Sequence, residues 1–315
     1  MSSTSRINFF IVGAAKGGTT TAFERLNNRD DVYLSPLKEP NFYSTDIDIE
    51  KFSIEFKANI RLDLSNYFAN NPLEVRQIGF VRNESEYDQL FKPAPESAQV
   101  IGECSTSYLW STEAPAKIAK VHPDAKILIM LRDPISRLYS HYMMARKYGF
   151  TSLSLIDAVE KDMAHPQKGW GSSELFVELG MYTDQISRYK NTFPEDQIKI
   201  MLTSDLRNPH KWLELIDWLG LPRNKESQNV KNKSRDANTA GLPRFESLNR
   251  ALTKVGVKQK LGNFIPRFLK APIVSLYYKS ENLPKITEEE RKFLKRIYKD
   301  ELFRLESEHG ISFEL

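Results

Sequence analysis

The chain has 315 residues, 40% hydrophobic and 27% charged, with 45 basic against 41 acidic residues for a net charge of +4. That composition suits one large α/β domain or two small ones and lacks the concentrated positive charge of a dedicated nucleic-acid binder. The one cysteine, Cys104, excludes an internal disulfide framework and a cysteine-built zinc site. With no leader-like start and no run near the ~18 apolar residues of a membrane helix, a cytoplasmic protein without an integral membrane segment is expected.

In chain order, the first apolar run, Asn8 to Val12, reads as a buried strand, and a helical pattern follows from Thr20 to Asn27. Residues 46–95 are polar, aromatic-rich and weakly periodic, and read as short helices and loops over a sheet. Further buried strands are expected at Gln99 to Gly102, Lys126 to Leu131 and Gln197 to Leu202. Helices are expected at Ile135 to Lys147 and Pro209 to Leu219. Residues 223–260 are basic and apolar-poor, with Lys225, Lys231, Lys233, Arg235, Arg244 and Arg250. Thr287 with Glu290 three residues on is a capping box opening a last helix to Glu308. Its apolar residues Phe293, Leu294, Ile297, Leu302, Phe303 and Leu305 recur at helical spacing and predict a packed face. Strand–helix alternation predicts a three-layer α/β sandwich with a central parallel sheet. The chain is expected to form one domain over residues 1–315, with a C-terminal elaboration from about 223.

The first strand runs into Gly13-Ala-Ala-Lys16-Gly17-Gly18-Thr19-Thr20-Thr21 and then a helix. Such a turn presents backbone N–H groups and the positive end of a helix dipole to an anion. Gly13 and Gly18 have the spacing of the nucleotide-triphosphatase loop, but Thr19 stands where that loop has lysine, and the lysine is Lys16. A strand–helix turn without a ligand is the alternative reading.

Lys16-Gly17-Gly18-Thr19-Thr20 resembles the 5′-phosphosulfate loop K-[GST]-G-T-[TR] of sulfotransferases that use 3′-phosphoadenosine-5′-phosphosulfate (PAPS). Leu131-Arg132-Asp133-Pro134-Ile135-Ser136-Arg137-Leu138-Tyr139-Ser140-His141-Tyr142 is similar to that family's 3′-phosphate motif, L-R-[DN]-P-x-x-R-x-[YW]-S-x-Y. The resemblance extends from Asn8 to about Leu221. It implies that Lys16, Gly17, Gly18, Thr19, Thr20 and Thr21 cradle the phosphosulfate, with Lys16 acting on the leaving phosphate. It also implies that Arg132 and Ser140 hold the 3′-phosphate, and that Lys233, Ser234 and Arg235 belong to a loop closing over the cofactor. PAPS is then the cosubstrate and PAP the product, with no metal required.

Sulfuryl transfer needs a group to take the acceptor's proton. Lys38-Glu39-Pro40-Asn41-Phe42-Tyr43 resembles the K-E-P-x-[FY]-[FY] segment of the heparan-type and bacterial branch, which makes Glu39 the base and Lys38 its neighbour on the acceptor side. A loop ion pair of Lys38 with Glu39, or a histidine base such as His141, is the alternative. Gly102-Glu103-Cys104-Ser105-Thr106-Ser107-Tyr108-Leu109 is similar to the strand end lining the acceptor, which implies substrate contacts for Ser105 and Tyr108. Cys104 and Thr106 depart from that pattern, where lysine and proline are usual, and Cys104 reads as a small buried filler. The expected partners are the nucleotide and an acceptor hydroxyl or amine, on a glycan, a glycolipid or a small natural product. The competing functions are a P-loop kinase or nucleotide triphosphatase, which magnesium dependence would reveal, and a non-catalytic nucleotide-binding protein.

Overall fold

The computed structural model describes residues 6–60, 62–223, 241–255, 278–279 and 284–313. The chain forms two compact units. The first comprises Met1–Ile47, Leu62–Arg132 and Tyr182–Asn232; the second comprises Asp48–Arg61, Asp133–Met181 and Lys233–Leu315.

The first unit is built on a five-stranded sheet of β1 (Phe9–Gly13), β2 (Val32–Leu34), β3 (Val100–Cys104), β4 (Lys126–Leu131) and β5 (Ile198–Leu202). Its order is β2-β3-β1-β4-β5 and every pairing is parallel. The four predicted strands are all present, and β2 is an addition at the edge. Every residue of β1 and β3 is buried, as parallel strands covered on both faces require. Successive strand residues point to opposite faces. Phe9 and Ile11 pack with Phe23 and Leu26 of helix α1 (Thr19–Asn27) and with Trp212 and Leu215 of the helix Pro209–Leu219. Phe10, on the other face, meets Tyr43 and His122. The three-layer α/β expectation is borne out. Since β3 lies on one side of β1 and β4 on the other, the carboxyl end of β1 is the topological switch point, where ligands bind in open α/β sheets.

In the second unit, helix α2 (Pro134–Tyr148) starts with Pro134 in its first turn, and the Asp133 side chain accepts from the Ser136 N–H at 2.7 Å. A proline in the first turn and an aspartate cap are both favoured there. Its core joins Ile135, Leu138 and Tyr142 of α2 to Leu155, Phe176, Leu294 and Tyr298. Leu294 and Tyr298 belong to helix α3 (Glu288–His309), which Thr287 and Glu290 open with the predicted capping box. The predicted face of α3 shifts: Tyr298 is fully buried while Phe303 is 73% exposed. Residues 46–95 form short helices and loops, as expected, among them Ser65–Phe68 and Glu84–Gln89 in the first unit and Ile54–Lys57 in the second.

Candidate active site

The turn after β1 is shaped by contacts that only its residue types allow. Gly18 caps α1 in the left-handed region at φ 95°. A side chain on Gly17 would sit 2.4 Å from the Met130 carbonyl oxygen of β4. The turn closes on itself through Gly17 N–H to the Ala14 carbonyl, at 2.9 Å, and on β4 through Ala14 N–H to the Met130 carbonyl, at 2.6 Å. Lys16 stands at its apex at φ 67° and is half-buried. Thr19 is buried, Thr20 exposed and Thr21 half-buried. The first turn of α1 carries no acidic residue; the N–H groups of Thr19 and Thr20 have no partner inside the helix, while the Thr21 N–H donates to the Gly18 carbonyl at 3.0 Å. This donor set of a lysine, hydroxyls and amides suits the oxygens of a phosphosulfate, which only accept hydrogen bonds.

Thr203, at the carboxyl end of β5, ties this turn to the next strand end. Its hydroxyl lies 2.7 Å from the Gly17 carbonyl and 3.0 Å from the Leu131 carbonyl, and its one proton is shared between them. Arg132 follows Leu131 directly; it is half-buried, and its carbonyl accepts from the Tyr182 hydroxyl at 3.0 Å. Ser140 lies in the second unit, 2% exposed on α2. Lys233, Ser234 and Arg235 lie outside the described residues.

On the other side of β1, Cys104 ends β3. Its carbonyl accepts the Glu39 N–H at 2.8 Å. Glu39 is left-handed, at φ 65°. Lys38 Nζ donates to its Oε1 at 2.8 Å, and the Thr106 hydroxyl donates to its Oε2 at 3.1 Å. Burial works against the Lys38 ammonium, yet its pKa is raised, because the Glu39 carboxylate lies beside it. Cys104 also faces that lysine but stays a neutral thiol, pushed up to about 12 by burial. It is the inert buried filler expected of it.

The loop that continues from Glu39 is fastened from several directions. The Asn41 side chain donates to the carbonyls of Glu39 and Gly79 and accepts from the Ser107 hydroxyl. The Arg82 guanidinium donates to the carbonyls of Asn41, Ser44 and Ile47. Ser105 and Tyr108, expected on the acceptor, are fully buried and donate their hydroxyls to Glu103. His141, the alternative base, is buried in the second unit, 3.9 Å from Glu174 and 3.5 Å from Arg137. His122 shares a 2.8 Å hydrogen bond with the Tyr43 hydroxyl.

Thr203 and Glu103 had no role in the sequence reading. The signal for Thr203 is its position, one residue beyond a predicted parallel strand on the edge where ligands bind. The signal for Glu103 is a carboxylate inside an otherwise apolar strand. Among the described residues no group of histidine, cysteine and carboxylates has the arrangement of a metal site. None of their helices is long and apolar enough to cross a membrane.

The fold is thus that of an α/β protein with a glycine-rich strand–helix turn at its topological switch point. The sulfotransferase family profile matches residues 8–199, and the chain belongs to that family. Mouse (Mus musculus) carbohydrate sulfotransferase 15 is 29% identical over 156 residues, 43% of this chain and 27% of that one. Mouse heparan sulfate glucosamine 3-O-sulfotransferase 3B1 is 24% identical over 137 residues, 42% of this chain and 34% of that one. The chain therefore spans about a third or less of the length of these relatives. A sulfotransferase from Alicyclobacillus acidocaldarius shares the fold at a TM-score of 0.62 and 23% identity, over 98% of this chain and 97% of that one.

Proposed function

We propose that this protein transfers a sulfuryl group from PAPS to a hydroxyl or amine of a glycan or glycolipid, releasing PAP. The observation that carries the proposal is the convergence on one sheet edge. The Lys16 turn, the Glu39 loop and Arg132 follow β1, β2 and β4; Thr203 ties the turn to the end of β4, and the Cys104 carbonyl holds the Glu39 N–H at the end of β3. In this reading Glu39 takes the proton of the attacking acceptor. Lys16 faces the charge developing on the leaving phosphate, where a fixed cation stabilises it most. PAPS, when bound, supplies the activated sulfur. The turn from Gly17 to Thr21 holds its 5′ end. Arg132 and Ser140 are assigned to the 3′-phosphate on the sequence motif of residues 131–142.

A glycan acceptor is supported by the carbohydrate and heparan sulfate sulfotransferases among the relatives. One functional domain over residues 1–315 and action in the cytoplasm belong to the same proposal; cell fractionation tests the latter. The decisive experiment is calorimetry with PAP in the presence of EDTA. Binding is expected there, since lysine, arginine and backbone N–H groups supply the positive charge. No binding of PAP, with ATP–magnesium bound instead, would turn the reading to a nucleotide kinase.

A further inference from the structure

Glu103 takes no step in the reaction proposed above, yet it is a carboxyl at 0% exposure in the middle of the fold. A buried carboxyl is costly unless its oxygens are satisfied. Here Oε1 accepts the hydroxyls of Tyr87 at 2.6 Å and Tyr108 at 2.7 Å, and Oε2 accepts the Ser105 hydroxyl at 2.6 Å. Two of these hydroxyls have a second partner. Ser105 Oγ accepts the Asn41 N–H at 3.0 Å, and the Tyr108 hydroxyl accepts the Tyr43 N–H at 3.2 Å. Both amides lie in the loop that begins with Glu39. That loop holds Glu39 and Asn41 in the left-handed region, at φ 65° and 52°, a conformation that persists only where its surroundings enforce it.

Polarity makes the arrangement specific to a carboxylate. A hydroxyl has one proton to donate, and an ionised carboxylate only accepts. Facing Glu103, Ser105 and Tyr108 must turn their protons inward, which leaves lone pairs for the amides of Asn41 and Tyr43. An amide in place of the carboxylate brings donors to one of these hydroxyls, whose proton is then free to turn toward the backbone N–H it had accepted. Burial pushes the Glu103 carboxyl up to about 7, against the pull of its three donors, so the arrangement described is that of the ionised group above that pH, where the test is run.

We infer that Glu103 is a positioning residue: through Ser105 and Tyr108 it fixes the backbone of residues 39–43 and so aims the Glu39 carboxylate. The inference rests on the reading of Glu39 as the base. It is tested with Glu103→Gln in the full chain, first by amide hydrogen exchange. Asn41 and Tyr43 are expected to exchange about tenfold faster or more, with the amides of Ile11 and Leu128 in the sheet unchanged. The PAP dissociation constant is expected to stay within about twofold, since no phosphate contact is altered. Turnover of PAPS with desulfated heparan sulfate is expected to fall about 10²-fold, as for a misplaced catalytic group. Ser105→Ala and Tyr108→Phe should each produce part of this loss in the wild type. They should add little once Glu103 is glutamine, because all three act as one unit.

Unchanged exchange at Asn41 and Tyr43, or fully additive losses, would overturn the inference. If Glu103→Gln does not fold, Ser105→Ala and Tyr108→Phe carry the exchange test alone, with the same expected and overturning results. Glu39→Gln, measured alongside, separates the two ideas. Full turnover in that variant removes the base, whereas lost turnover there with normal turnover in folded Glu103→Gln removes only the positioning role.

Discussion

Lys16 and Glu39 both occupy the left-handed region, at φ 67° and 65°, where a side chain other than glycine or asparagine is disfavoured. The chain bears that cost at both residues assigned to chemistry and also at Ile78 and Leu175, and Asn41 lies in the same region. The two substitutions should separate in their effects. Glu39→Gln keeps the shape of the side chain and removes the proton acceptor. PAP should bind as in the wild type while turnover falls on the order of 10²–10⁴-fold. Lys16→Ala removes a cation facing the leaving phosphate, so turnover should fall about 10²–10³-fold and PAP binding should weaken as well. Calorimetry and single-turnover kinetics on the pair check this. Equal PAP affinity in both variants would leave Lys16 with no part in holding the cofactor.

At the scale of elements, the phosphate turn depends on a strand end far away in sequence. Thr203 and Gly17 are 186 positions apart, and one hydroxyl links them. Thr203→Val keeps the volume and removes that hydroxyl. It should cost about 0.5–1.5 kcal/mol of stability and raise the PAP dissociation constant by loosening the turn. Thr287→Ala is its counterpart in the second unit. It removes one half of the capping box at the start of α3, in which the Thr287 N–H also donates to Glu290 Oε2 at 2.7 Å. The expected cost is about 1 kcal/mol, with PAP affinity unchanged. Thermal melts paired with PAP titrations distinguish the two, and an unaltered PAP constant in Thr203→Val would discard the turn argument.

For the whole molecule, Glu103 and His122 contribute opposing pH dependences, and Glu174, which burial raises to about 8, adds to the Glu103 side. Burial raises the Glu103 carboxyl from 4.5 to about 7. The folded state then binds more protons than the unfolded one, and stability falls as pH rises through that window. Burial lowers His122 from 6.5 to about 4. There the unfolded state binds more protons, and stability rises with pH over that range. Each effect is on the order of 3 kcal/mol, so the two largely offset one another between about pH 4.5 and 6.5. Glu103→Gln should therefore shift the change in melting temperature from pH 4.5 to 6.5 in the direction of a gain relative to the wild type. His122→Gln should make the melting temperature fall over the same interval. Parallel curves for all three proteins would show that neither group titrates as its burial implies.

Four strands, the glycine turn, the capping box of α3 and the match of residues 8–199 to the family follow from the sequence by itself. Each depends on neighbours within a few positions: an apolar run, a threonine three residues before a glutamate, a lysine among glycines. The three-residue β2 is too short for a periodic signal, and only its pairing with β3 makes it a strand. In α3, spacing alone does not distinguish Phe303 from Tyr298. Tyr298 goes inward because its hydroxyl reaches the carbonyls of Phe176 and Val177, while Phe303 is left in solvent. Ser105 and Tyr108 read as acceptor contacts in sequence, and the fold turns them onto Glu103. The physical reason is common to these cases. A hydroxyl or carboxyl takes its role from the partner that packing brings to it, and those partners lie elsewhere in the chain or on another element.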